Sequence, residues 1–156
     1  MGVRIGPERG ESVTLEEVMK LAGREQFLAV VATLREDSTI QSSLVNAGVL
    51  DHPVTGEPTL AFVTYGATKL RNLRSRPTVA VTFRAGWEWA TVEGVATLIG
   101  PNDPHTLIDA DRLRLLLREV FVAAGGQHDD WDSYDRTMLE QNRTAVFVAA
   151  SRIYTN

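Results

Sequence analysis

The sequence contains no cysteine, which excludes disulfide bonds, thiolate nucleophiles and cysteine-ligated metal sites within this chain. Long hydrophobic runs are also lacking, since no stretch approaches the roughly 20 apolar residues that a membrane-spanning helix requires. The first residues, Met1 to Arg9, lack the apolar segment of a signal peptide. We therefore expect a cytoplasmic protein without a membrane partner.

Sequence motifs of common enzyme classes are absent as well. The chain has no G-x-S-x-G nucleophile elbow, no G-x-G-x-x-G dinucleotide motif and no G-x-x-x-x-G-K-[ST] phosphate loop. Its histidines, His52, His105 and His128, lie far apart and lack metal-ligand spacing. The formal net charge of -4 argues against a nucleic-acid-binding surface, which is usually basic. We predict no catalytic side chain, no metal site and no nucleic-acid partner.

The pattern of apolar residues predicts one mainly β domain over residues 1–156. Thr14-Leu-Glu-Glu17 fits a capping box and predicts a helix over 15–22, so that residues 1–24 form an N-terminal arm and helix. Strands are predicted over 27–34, 41–50, 59–65, 78–83, 87–99 and 144–154. A short helix that ends at Pro77 precedes the fourth strand, and two helices, beginning at Asp103-Pro104 and at Asp129, precede the last. Short turns between strands favour an antiparallel sheet or barrel with helices packed outside.

The most informative segment is the basic stretch that follows the third strand. Lys69, Arg71, Arg74 and Arg76 lie within eight residues that contain no acid. The pattern predicts a strand, a glycine-containing turn and a helix that has Thr68 as its N-cap. Charge-assisted hydrogen bonds and the backbone N–H groups of a helix start both favour anions. The segment is therefore either an anion site or a solvated basic helix.

Two further groups of residues could contact a ligand. Trp87 and Trp89 lie on one face of a predicted strand, which is typical of a core, although such a pair at a barrel mouth could flank a planar ligand. Small polar residues mark the second strand: Gln41, Ser42, Ser43 and Asn46. Together with the basic segment, these residues suit a phosphorylated, planar aromatic cofactor that brings its own chemistry.

Four segments match a known pattern: Ala-Thr-Leu-Arg-Glu-Asp, Gln-Ser-Ser-Leu-Val, Thr-Lys-Leu-Arg-Asn-Leu-Arg-Ser-Arg-Pro and Thr-Val-Glu-Gly-Val-Ala. They resemble the pyridoxamine 5′-phosphate oxidase-like split β-barrel superfamily, and more closely its flavin/deazaflavin-dependent oxidoreductase branch, which uses coenzyme F420. The likeness extends over residues 25–154. It implies a split β-barrel of the FMN-binding type, with about six antiparallel strands and flanking helices.

The resemblance also implies a homodimer that binds two cofactors at its interface. Lys69 would bind the cofactor phosphate, and the backbone of residues 43–46 would contact the flavin-like ring. Trp87 and Trp89 match positions that reach the cofactor partly across the interface. The implied cofactor-binding residues are Gln41, Ser43, Leu44, Val45, Asn46, Thr64, Thr68, Lys69, Arg71, Asn72, Trp87 and Trp89.

Two departures from the family pattern bear on function. The C-terminal Arg152-Ile-Tyr-Thr-Asn156 lacks the Arg/His signature of true pyridoxamine phosphate oxidases, and Thr68 stands where these oxidases often have arginine. The resemblance therefore implies an oxidoreductase that uses coenzyme F420 to pass a hydride to an electron-poor small-molecule acceptor. The alternatives are an FMN-dependent oxidoreductase of the same fold, a non-enzymatic flavin or deazaflavin carrier, and a structural dimer without a cofactor.

Overall fold

The N-terminal helix has the predicted bounds. The computed structural model describes residues 13–156, so that residues 1–12 of the predicted arm lie outside the described part. Helix α1, Leu15–Ala22, begins after a complete capping box. The Thr14 hydroxyl accepts from the Glu17 N–H at 3.2 Å, and the Glu17 carboxylate accepts from the Thr14 N–H at 2.8 Å. A short 3-10 turn, Gly23–Glu25, leads into the first strand.

Six strands form a closed antiparallel barrel, as predicted. They are β1 Leu28–Leu34, β2 Ile40–Asp51, β3 Pro58–Thr64, β4 Thr78–Ala85, β5 Glu88–Ile99 and β6 Thr144–Thr155. Their order around the barrel is β1-β2-β3-β6-β5-β4, and β1 pairs with β4 to close it. Every strand boundary lies within two residues of its predicted place. The closing pairs β3–β6 and β1–β4 join segments that are distant in sequence.

Two apolar cores explain why these residues form strands. The barrel interior contains the fully buried Val31, Phe62, Phe83 and Val92, contributed by alternate positions on four strands. A second cluster packs the outer faces of β3 and β6 against a helix. Strand β3 is therefore buried on both faces, which accounts for the continuous apolar run from Leu60 to Phe62.

Three further helices flank the barrel, and two of them begin later than predicted. Helix α2 is Ala67–Ser75, α3 is Ala110–Ala123 and α4 is Trp131–Glu140. The start predicted at Asp103-Pro104 is wrong, because residues 101–108 form turns and the Asp109 carboxylate caps α3 by accepting from the Arg112 N–H at 2.7 Å. The N-cap of α4 is Asp130 rather than Asp129, and it accepts from the Ser133 N–H at 3.1 Å.

Candidate functional site

The end of β3 and the start of α2 form a compact polar site. The predicted N-cap Thr68 is wrong: Gly66 occupies that position, and no side chain within residues 13–156 caps the helix. The Gly66 N–H donates to the Thr64 hydroxyl at 3.3 Å. Because the first-turn N–H groups of α2 have no side-chain cap, this helix start favours an anion. We call Thr64, Gly66 and Lys69 the α2 anion site.

Lys69 points its ammonium into this site although the side chain is only 5% exposed. Nζ donates to the Thr64 hydroxyl at 3.1 Å and lies 5.7 Å from the centroid of the Phe62 ring. A Cβ atom placed on Gly66 would lie 3.9 Å from Nζ, so the ammonium has folded back beside the helix start. Burial, and then the positive charge of Arg143, lower the Lys69 pKa.

The Lys69 ammonium uses only part of its hydrogen-bond donors within the described part of the chain. Among the residues that the structure describes, Thr64 is its only hydrogen-bond acceptor and no carboxylate pairs with it. An ammonium donates up to three hydrogen bonds, and an isolated buried cation is costly. The geometry is therefore suited to an incoming anion such as a phosphate.

Arg143 contributes a second cation that sequence reasoning missed. Thr64 pairs with Thr144 at the end of the β3–β6 ladder, which brings the adjacent residues Tyr65 and Arg143 together. The Arg143 guanidinium carbon lies 3.8 Å from the centroid of the Tyr65 ring, and Nε donates to Gln141 Oε1 at 2.9 Å. Burial lowers the Arg143 pKa. The β3–β6 pairing creates this proximity, and no local sequence signal marks it.

The four cations of the basic segment have separate surroundings. Arg71 is exposed and forms no ion pair within residues 13–156. Arg74 binds the Asp103 carboxylate through Nε and Nη2, at 2.8 and 2.7 Å. Arg76 donates through Nε to the Leu34 carbonyl at 2.9 Å. Arg74 and Arg76 therefore attach α2 and its C-terminal end to the turn after β5 and to the end of β1.

Two predicted site residues belong to a hydrogen-bond chain that fastens α2 to the barrel. Asn72 is buried, and its Nδ2 donates to the Thr33 hydroxyl at 3.0 Å. That hydroxyl donates to Gln41 Oε1 at 2.9 Å. The structure thus gives Asn72 and Gln41 protein partners. Thr68, by contrast, is exposed in the first turn of α2.

The predicted ring-binding residues of β2 alternate between two faces. Ser43 pairs with the fully buried Val31, whereas Leu44 is 63% exposed. The Ser43 hydroxyl is a buried oxygen without a hydrogen-bond partner among the described residues. Val45 is buried, and Asn46 donates through Nδ2 to the Gln26 carbonyl at 2.8 Å. Because successive side chains point to opposite faces of the strand, they cannot all contact one planar ligand. Only the backbone groups of residues 43–46 could all do so.

The two tryptophans are not a core pair. Trp87 lies in the turn before β5 and is 85% exposed. Trp89 is half-buried and makes an edge-on contact with Tyr154, with ring centroids 6.0 Å apart. An exposed indole of this size suits a contact with a ligand or a second chain.

No group of three or more potential metal-ligating side chains converges among the described residues. None of the helices within residues 13–156 has both the length and the apolar character that crossing a membrane demands.

Comparison with known proteins supports the fold assignment. No protein-family model matches the chain. A conserved hypothetical protein of Mycobacterium tuberculosis superposes with a TM-score of 0.66 at 19% identity, over 96% of this chain and 89% of that one. An F420 reductase gives a TM-score of 0.55 at 16% identity, over 83% and 90% of the two chains.

A third solved structure points the same way. A pyridoxamine 5′-phosphate oxidase-related, FMN-binding protein of Nostoc punctiforme gives a TM-score of 0.57 at 15% identity, over 97% of this chain and 84% of that one. At these identities the likeness concerns the fold. This chain has the split β-barrel fold of the pyridoxamine 5′-phosphate oxidase-like proteins, as the sequence resemblance implied.

Proposed function

We propose that the protein is an oxidoreductase that binds coenzyme F420 and delivers a hydride from it to an electron-poor small-molecule acceptor. The observation that supports this most is the buried Lys69 ammonium, which lacks a counter-anion among the described residues and lies beside an uncapped helix start. Solved proteins of the same fold include an F420 reductase and an FMN-binding protein. Both cofactors have a phosphate that the α2 anion site could bind.

The residues of this chain would bind and orient the cofactor. Lys69, the Thr64 hydroxyl and the α2 N–H groups would hold the phosphate, with the exposed Arg71 and Thr68 close to it in the helix. Backbone groups of residues 43–46 would face the ring. Bound F420 in its reduced form would supply a hydride to a C=C, C=N or quinone-like acceptor and would itself be oxidised, while a proton from water completes the reduction.

Titration of the purified protein tests the cofactor assignment. Coenzyme F420, FMN and riboflavin, which lacks the phosphate, are compared by fluorescence and calorimetry. We expect F420 to bind with micromolar or better affinity, FMN to bind more weakly, and riboflavin to bind least. Preferential FMN binding would favour the FMN-dependent alternative, and F420 binding without turnover of any acceptor would favour a carrier. Failure of both phosphorylated cofactors to bind would overturn the proposal.

We also propose that two copies of the chain associate through the outer face of β1 and β2. Leu28, Val30, Ile40 and Leu44 are exposed there, and Val30 lies directly opposite Leu44 in the strand pair. A contiguous exposed apolar face on a soluble domain is typical of an interaction surface. The second copy is the fitting partner because β2 also contributes residues 43–46, so that association would cover the proposed ring site.

Substitution of Ile40 tests this interface. Ile40 is 63% exposed, and an aspartate there would place a charge in a desolvated contact. We expect Ile40→Asp to shift the protein from dimer to monomer in analytical ultracentrifugation. Leu139→Asp is the matched control, because Leu139 is 74% exposed and belongs to α4 rather than to β1 or β2. A monomeric wild-type protein, or a variant that remains dimeric, would contradict the proposal.

A further inference from the structure

A cavity of about 620 Å³ lies between helices α3 and α4 and the outer faces of β2 and β3. Its walls include Val63 of β3, Phe121 of α3, and Tyr134 and Met138 of α4. The volume falls within the roughly 300–1,000 Å³ of typical small-molecule sites. Neither Thr64 nor Lys69 lines it, so it is distinct from the α2 anion site.

The lining combines aromatic and apolar side chains with one permanent charge and with the uncharged polar residues Gln26, Asn46, His128 and Thr137. The rings of Phe121 and Tyr134 are 5.0 Å apart, and His128 lies 5.6 Å from Tyr134. No aspartate or glutamate is among the described residues that line the cavity, whereas Arg143 is. A single cationic group in a cavity with aromatic walls is complementary to a planar molecule that has one anionic group.

Arg143 is held in an orientation that leaves its terminal nitrogens available. The Tyr65 ring centroid lies 3.8 Å from the guanidinium carbon, and Nε donates a hydrogen bond to Gln141 Oε1 at 2.9 Å. Within residues 13–156, neither terminal nitrogen has a hydrogen-bond acceptor in the protein. A guanidinium fork presents two N–H groups in the geometry of a carboxylate.

We propose that this cavity binds a planar aromatic carboxylate, whose carboxylate pairs with Arg143 and whose ring packs among Phe121, Tyr134 and Met138. Binding requires no cofactor. Asn46 lines the cavity and also belongs to the proposed ring-binding segment of β2. An occupant would therefore lie beside the cofactor ring, in the place of a hydride acceptor; this last step rests on the proposed function.

The test uses 2-naphthoate as the probe and the uncharged 2-naphthamide as its counterpart. Both are titrated into the full-length, cofactor-free protein by calorimetry and by amide chemical-shift mapping. We expect 2-naphthoate to bind about 10- to 100-fold more tightly than the amide, the ratio of one charged hydrogen-bonding contact. The largest shifts should fall on Val63, Val120 and Met138.

Variants of Arg143 test whether its charge binds the carboxylate. Arg143→Met should reduce naphthoate affinity to that of the amide, and Arg143→Lys should restore part of it. Arg84→Met is the matched control, because Arg84 is an exposed cation of β4 that does not line the cavity, and naphthoate affinity should not change. Equal binding of acid and amide by the wild-type protein, no binding of either, or shifts confined to residues 64–71 would each overturn the inference. F420 titration is independent, so the proposed function can fail while this site stands.

Discussion

Replacing Lys69 by methionine should stabilise the free protein while it weakens the binding of phosphorylated ligands. The substitution removes an ammonium that is 5% exposed and retains most of the apolar stem. The variant loses the hydrogen bond to Thr64, which contributes about 1.5–3 kcal/mol. It also relieves the desolvation of an unpaired charge, which costs several kcal/mol. We therefore expect the free energy of unfolding to rise by about 1 kcal/mol.

The pH dependence gives a sharper measurement. Burial and Arg143 lower the Lys69 pKa in the folded protein from its ordinary 10.5. Between the two pKa values the unfolded chain binds more protons, so that the wild-type free energy of unfolding rises with pH in that window. The destabilisation of the folded protein by the buried Lys69 charge is fully present below the folded pKa and disappears as pH approaches 10.5. The advantage of Lys69→Met should therefore shrink as pH rises.

Urea unfolding near neutral pH and close to pH 10.5 measures this difference, and F420 titration measures the binding loss. We expect the affinity for F420 to fall about 10- to 100-fold, the effect of one hydrogen bond to a charged group. Lys20→Met is the control, because Lys20 is the other lysine of the chain and is exposed on α1. A Lys69→Met protein that is less stable near neutral pH, with an unchanged F420 affinity, would refute the reasoning.

Two further predictions concern the scaffold around the site. Gly48→Ala should destabilise the protein by about 3 kcal/mol in urea unfolding, because its Cβ would lie 2.0 Å from the Ala123 carbonyl oxygen; Gly23→Ala, which meets only the Phe27 ring at 3.5 Å, should change stability little. Hydrogen bonds from Arg118 lower the Asp135 pKa below 3.8, so that pair stabilises above that pH. The stability lost in Asp135→Asn should therefore diminish in urea unfolding as pH falls below 3.8.

Local sequence patterns predicted the elements well because local physics determines them. The capping box at Thr14 and Glu17 specifies its helix through neighbouring groups alone, and alternate burial determines the strand positions of β1 and β4. Errors arose where several residues could serve the same role. Thr68, Asp103 and Asp129 are all chemically suitable N-caps. The structure instead has Gly66, Asp109 and Asp130 at these three positions.

The candidate site could be predicted only in part because its contacts join distant segments. The residue types of the basic stretch indicated an anion site, but they could not separate Lys69 from Arg74. That distinction depends on Asp103, which the turn after β5 brings to Arg74. Arg143 is placed by the β3–β6 register. A sequence read without pairing information gives neither contact.

Lys69 and Arg143 also couple the two proposed ligand sites. The charge of Arg143 lowers the Lys69 pKa, so the free protein holds an ammonium that burial and a neighbouring cation both disfavour. An anion at the α2 site would offset that charge directly. A carboxylate on Arg143 would reduce the repulsion that Lys69 experiences, and the effect of each ligand on the other is reciprocal. Because both ligands are anions, each reduces the positive potential that attracts the other, so bound phosphate should weaken carboxylate binding and bound carboxylate should weaken phosphate binding.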